Sequence, residues 1–112
     1  MSIRVQKVGE LLREQVSELI RRNLPEEMGI ITITNVEVAN DLKQAKIYIT
    51  LIDNSQAQKV LQVLTEKTPD FRHFLGKTLE MRYTPRLVFK LDESKDKIDR
   101  IEALLKEIDR GA

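Results

Sequence analysis

The apolar residues switch between a helical and a strand period along the 112 residues. This switching restricts the chain to a mixed α+β class. Over residues 3–24, Val5, Val8, Leu12, Val16, Leu19 and Ile20 recur at three- and four-residue spacing. That spacing puts them on one stripe of an amphipathic helix, with Ser2 placed to cap it and Pro25 to stop it. Arg4, Lys7, Arg13, Glu14, Glu18, Arg21 and Arg22 lie mainly off the stripe, on faces open to water or a partner.

Residues 29–38 are rich in β-branched side chains and are expected to form a strand. Ala39 to Lys43 supply turn residues, and a second strand follows at 44–51. There Ala45, Ile47, Ile49 and Leu51 alternate with Lys46, Tyr48 and Thr50. The two strands make an antiparallel hairpin with one buried face. Asp53, Asn54 and Ser55 open a helix, with Ser55 and Gln58 at capping-box spacing and Val60, Leu61 and Leu64 inward.

At Thr68 and Pro69 that helix is expected to break or kink. Proline disfavours the α conformation at the residue before it and suits the first position of a new helix. Phe71, Phe74, Leu75 and Leu79 would form the new helix's apolar face. From Glu80 to Leu91 the period becomes two. Met81, Tyr83, Leu87, Phe89 and Leu91 share one parity, and Arg82, Thr84, Arg86, Val88 and Lys90 share the other. Pro85 predicts an edge strand or a bulge. A final helix over about 94–109 would turn Ile98, Ile101, Leu104, Leu105 and Ile108 inward. The order is helix, strand, strand, broken helix, strand, helix: a two-layer α+β fold, one domain over residues 1–112 with its core at about 3–108.

Catalytic chemistry has little to work with. There is no cysteine, so disulfides, thiolate catalysis and cysteine metal sites are excluded. The single histidine, His73, cannot make a histidine metal cluster. Ser2, Ser17, Ser55 and Ser94 lie at expected caps or within the first helix, without elbow glycines. Gly76, Lys77 and Thr78 resemble the end of a phosphate-binding loop, but that loop needs glycine at position 71, which is phenylalanine. The paired carboxylates Glu26–Glu27 and Asp92–Glu93 fall at element ends, where caps or solvated surface explain them. No catalytic residue, metal or cofactor is expected. The charged amino terminus and the lack of a long apolar run predict a soluble, unexported protein without membrane contact.

Net charge is only +1, but its distribution is uneven. Residues 67–90 carry Lys67, Arg72, Lys77, Arg82, Arg86 and Lys90 against Asp70 and Glu80, whereas residues 25–66 are net acidic. A basic segment in a near-neutral chain suggests a face kept for a polyanion. The plain alternative is solvated surface charge.

Three stretches then carry a resemblance. They are the opening helix from Arg4 to Arg22; residues 29–38, continuing through Asp41 and Leu42 to 45–50; and Phe71 to Lys77, followed by Arg82, Pro85, Leu87, Phe89 and Asp92. In this order and spacing, over roughly residues 3–108, the chain resembles the ribosome-binding factor A family. The resemblance implies a type II KH-like domain that binds the small (30S) ribosomal subunit and assists late processing of its precursor 16S RNA, with a link to growth in the cold. It also implies a monomer in the cytoplasm, with ribosomal proteins or other assembly factors as further contacts.

Typical KH domains clamp the nucleic-acid backbone with a Gly-x-x-Gly loop. With glycine only at 9, 29, 76 and 111, this chain has no such loop. The family's usual Ala-x-Gly kink aligns with Lys67, Thr68 and Pro69, which depart from it. RNA affinity would come from cations neutralising phosphates. The candidates are Lys67, Arg72 and Lys77, then Arg82 and Arg86, with Lys43 and Lys46 extending the path and Arg4 and Lys7 flanking it. Base stacking is not expected to dominate; among the aromatics Tyr48 alone shares the polar parity and is the one candidate stacking platform. Competing readings are a KH-like module for non-ribosomal RNA, a protein-interaction domain, and a helical dimer built on residues 94–109.

Overall fold

A computed structural model describes residues 3–94 and 102–106. The elements are helix α1 (Ile3–Asn23), strands β1 (Ile31–Val38) and β2 (Gln44–Leu51), helix α2 (Ala57–Thr78) and strand β3 (Arg86–Leu91). Among the described residues the sheet has three strands in the order β1-β2-β3. β1 and β2 form the expected antiparallel hairpin, with a bulge between Ile33 and Asn35. β2 and β3 are parallel. A parallel pair needs a crossover, and α2 is that crossover.

Both helices lie on the same face of the sheet, α1 against β1 and α2 against β3. Leu12, Val16, Leu19 and Ile20 of α1 meet Ile33, Ala45, Ile47, Ile49, Leu87 and Phe89 of the strands. Val60, Leu64, Phe71 and Leu75 of α2 complete this core. Phe71 and Phe89 pack edge to face, with ring centroids 6.4 Å apart. Arg13 Nη2 donates to the Ile33 carbonyl at 3.1 Å, tying α1 to the edge strand at its bulge. Glu18 takes both Arg21 and Arg22, and these partners hold its carboxyl below the usual range.

Several expectations are corrected. α2 runs unbroken across Pro69, so the break does not form. Its buried residues Val60, Leu64, Phe71 and Leu75 keep one stripe on both sides of the proline, so packing outweighs the break that proline favours. The Thr68 hydroxyl donates to the Leu64 carbonyl at 2.9 Å, inside the same helix. The Ser55–Gln58 capping box does not form. Asp53 Oδ1 instead accepts the Ser55 amide at 3.0 Å, and a 3-10 turn (Asn54–Gln56) leads into α2. β1 begins at Ile31, because Gly29 holds a left-handed φ of 79°.

β3 starts at Arg86, not Glu80. Glu80 has φ 51°, and Pro85 offers no amide, so the first ladder donor is the Arg86 N–H, to the Lys43 carbonyl at 2.8 Å. Tyr83, expected on the core parity, is 78% exposed, and Phe74 is 39% exposed. Leu104 and Leu105, expected inward, are 59% and 55% exposed. α1 and α2 already cover the sheet's apolar face, which leaves these leucines no core position. The rest of the expected final helix, with Ile98, Ile101 and Ile108, and the Ser2 cap lie outside the described residues.

Candidate nucleic-acid interface

The face of the sheet turned away from the helices is polar because strand parity sends alternate residues there. Across it run Glu37, Lys46 and Val88 in one row, and Asn35, Tyr48 and Lys90 in the next. Tyr48 is half-buried and donates its hydroxyl to Glu37 Oε2 at 3.2 Å. Desolvation and this carboxylate push the phenol up from its ordinary value. Its edge is thus engaged within the sheet. Lys90, absent from the sequence-based candidates, is exposed beside it, and its place on the polar parity was the available signal.

The topology gathers most of the candidate cations at one end of the sheet. Lys43 sits in the β1–β2 turn, where its amide donates to Asp41 Oδ1 at 3.0 Å. Arg86 opens β3 beside it, opposite Gln44. The half of α1 that carries Arg4 and Lys7 runs along residues 36–38 of β1, at this same turn end. A Cβ built on Gly9 would lie 3.7 Å from Val38 Cγ2, which shows how closely helix and strand approach there.

The segment between α2 and β3 completes this end. Its backbone returns onto α2 through the Met81 amide, which donates to the Gly76 carbonyl at 3.2 Å. Arg72 Nη2 donates to the Thr84 carbonyl at 3.0 Å, and the Thr84 hydroxyl donates to the Arg72 carbonyl at 3.4 Å. Arg72 is therefore partly a structural tie. Lys77 is exposed in the last turn of α2, and the Arg82 guanidinium lies 5.6 Å from the Tyr83 ring centroid.

Lys67 is not part of this group. It is half-buried in mid-α2 and lines a concavity of about 360 Å³ with Leu19, Arg22, Asn23, Asp70 and Phe74, at the far end of α1 from Arg4. Lys46 occupies the middle of the open sheet face, paired across from Glu37. Among the described residues no group of three His, Cys, Asp or Glu could hold a metal ion, and no helix is long and apolar enough to cross a membrane.

A mixed three-stranded sheet with helices on one face, crossed over by α2, defines an α+β domain of the KH-like type. The ribosome-binding factor A family model matches residues 4–105. A ribosome-binding factor A from Trichlorobacter lovleyi is 40% identical over 96% of this chain and 89% of its own. One from Desulforamulus reducens is 37% identical over 96% and 92%. The chain belongs to the ribosome-binding factor A family.

Solved structures agree on the fold. The crystal structure of ribosome-binding factor A from Thermus thermophilus matches with a TM-score of 0.70, at 18% identity, over 78% of this chain and 94% of that one. A homology model of the Thermus thermophilus factor, as fitted into the cryo-EM map of a 30S–RbfA complex, matches with a TM-score of 0.65, at 20% identity, over 76% and 91%.

Proposed function

We propose that this protein binds the small ribosomal subunit and assists late maturation of its 16S RNA, without catalysing a reaction. The observation that carries the reading is the family match over residues 4–105. A homology model of the Thermus thermophilus relative, which shares the fold, has been fitted into a map of a 30S complex. The contact surface is the basic end of the sheet: Lys43, Lys77, Arg82 and Arg86, flanked by Arg4 and Lys7, with Lys46 and Lys90 on the open face. Arg72 holds the segment that presents Arg82. Lysine and arginine there neutralise phosphates and release counterions, so binding is salt-sensitive.

Phosphate contacts position a protein on RNA without reading a sequence, which suits recognition of a folded ribosomal RNA by shape. A protein that binds one RNA conformation better than another shifts the folding equilibrium toward it and needs no turnover chemistry. It acts as a monomer in the cytoplasm, where immature subunits are found.

Co-sedimentation tests the reading. The protein is mixed with immature small subunits, mature small subunits, large subunits and an unrelated structured RNA at the same mass. Selective association with small subunits, strongest for immature ones, is the expected result. Equal binding to all four would replace it with a general RNA-binding module, and no binding at low salt would leave a protein-interaction domain.

A further inference from the structure

We infer that Tyr83 and Arg82 form a stacking platform for an unpaired RNA base, at the tip of the segment joining α2 to β3. This rests on the RNA-binding reading above and adds the kind of nucleotide recognised. Tyr83 holds 78% of its surface in water, whereas Phe71 and Phe89 are buried in the core. Its neighbours on both sides are anchored. The Met81 amide is bonded to the Gly76 carbonyl, Thr84 is bonded twice to Arg72, Pro85 is buried, and the Arg86 amide is bonded to the Lys43 carbonyl. The ring is thus presented from a backbone already ordered, which lowers the entropy lost on binding.

This segment approaches α2 closely at Gly76, where a Cβ would meet Thr84 Oγ1 at 3.1 Å. The Arg82 guanidinium lies over one face of the ring, 5.6 Å from the centroid, which leaves the opposite face for a base. Lys77 and Arg86 lie on the elements that flank the segment, Lys43 lies in the β1–β2 turn bonded to Arg86, and Glu80 is the acidic residue within the segment. A ring capped on one face by arginine and open on the other matches the π-face of a base, and the cations around it match the charge of the phosphates. Bases inside a duplex have their faces covered by neighbours, so the ligand is a single-stranded stretch or a bulged base. Tyr48, the other tyrosine, is half-buried with its hydroxyl on Glu37 and so exposes less of its ring than Tyr83.

The chain has two tyrosines and no tryptophan, so in a Tyr48→Phe background the intrinsic emission reports Tyr83 alone. The probes are a single-stranded oligouridylate of about ten nucleotides and a blunt RNA duplex of equal length. Affinity is read independently from the anisotropy of the labelled RNA. The single strand is expected to quench Tyr83 emission at saturation while the duplex leaves it unchanged. Tyr83→Ala is expected to weaken single-strand binding about tenfold, and Tyr83→Phe to keep it within about twofold.

Unquenched emission at saturation, an unchanged affinity in Tyr83→Ala, or no single-strand binding at low salt would overturn the platform. Co-sedimentation with small subunits separates the two readings. If the wild type still pellets with them in a salt-sensitive way, the platform alone has failed. If it does not pellet, the ribosomal reading fails as well.

Discussion

Thr34 and Asp92 are 58 positions apart in the chain, yet the Thr34 hydroxyl donates to Asp92 Oδ2 at 2.5 Å. Asp92 Oδ1 also accepts the Ser94 amide at 2.9 Å, and the Asp92 amide donates to the Ile49 carbonyl at 2.8 Å. One residue at the exit of β3 therefore ties together both edges of the sheet across β2. Ser94 first, and then the Thr34 hydroxyl, hold the Asp92 carboxyl down to about 2 from 3.8.

The sign of the pH dependence follows from linkage. The folded pKa lies below the unfolded one, so the stabilisation is complete above about pH 4 and is lost as pH falls through about 2. Asp92→Asn removes the charge that Thr34 and Ser94 solvate. Thermal denaturation from pH 2 to 7 should show the variant less stable at neutral pH, with the difference closing between pH 4 and 2. A difference that stays constant over that range would mean the carboxylate is not what joins the strands.

Leu64 is fully buried between α2 and the sheet, one turn beyond Val60 and two turns before Phe71. Leu64→Ala leaves a cavity that only a helix shift could close. The expected cost is about 2–5 kcal/mol, a large share of the roughly 5–15 kcal/mol typical of a domain. Urea denaturation should show a lower midpoint with an unchanged slope. A loss below about 1 kcal/mol would mean that the two layers repack freely.

How far the fold could be read before the coordinates depended on one-sided burial. In α1 and β2 one face is apolar throughout, so Leu12, Val16, Ile47 and Ile49 were identifiable from period alone. Around Pro69 and Pro85 the local signals competed with tertiary ones. Packing of Leu64 and Phe71 kept α2 whole at the first proline, whereas the reciprocal Arg72–Thr84 bonds drew residues 81–85 out of the strand at the second. The strand period therefore puts Tyr83 on the core parity, whereas the ring is 78% exposed. The cations themselves were visible as surface residues. Their convergence on one end follows from the parallel β2–β3 pairing, which places Arg86 beside Lys43, and a hydrophobic period carries no information about pairing direction.

Pro69 stands inside a helix, where it cannot donate to the carbonyl of Thr65 and its ring crowds that turn. Proline in a helix interior costs about 3 kcal/mol, although it also restricts the unfolded chain by about 0.4–1 kcal/mol. With α2 continuous on both sides, Pro69→Ala should stabilise the protein by about 2–2.6 kcal/mol. At roughly 4–8 °C per kcal/mol, the rise in Tm is easily measured. A fall in Tm would show that the turn at residues 65–69 is shaped around proline.

The last prediction separates the basic end from cations elsewhere. Each phosphate neutralised by a lysine or arginine adds about one to the slope of log K against log salt. Lys43 and Arg86 are joined through the Arg86 amide and the Lys43 carbonyl, so one RNA backbone can run past both side chains. Lys67 shares its concavity with Asp70, near the last turn of α1. Binding to small subunits across a salt series should therefore lose about two from the slope in the Lys43→Ala/Arg86→Ala double variant. Lys67→Ala should leave the slope as in the wild type. If Lys67→Ala lowers the slope and the double variant does not, the RNA runs along mid-α2 instead, and the basic end of the sheet is only solvated charge.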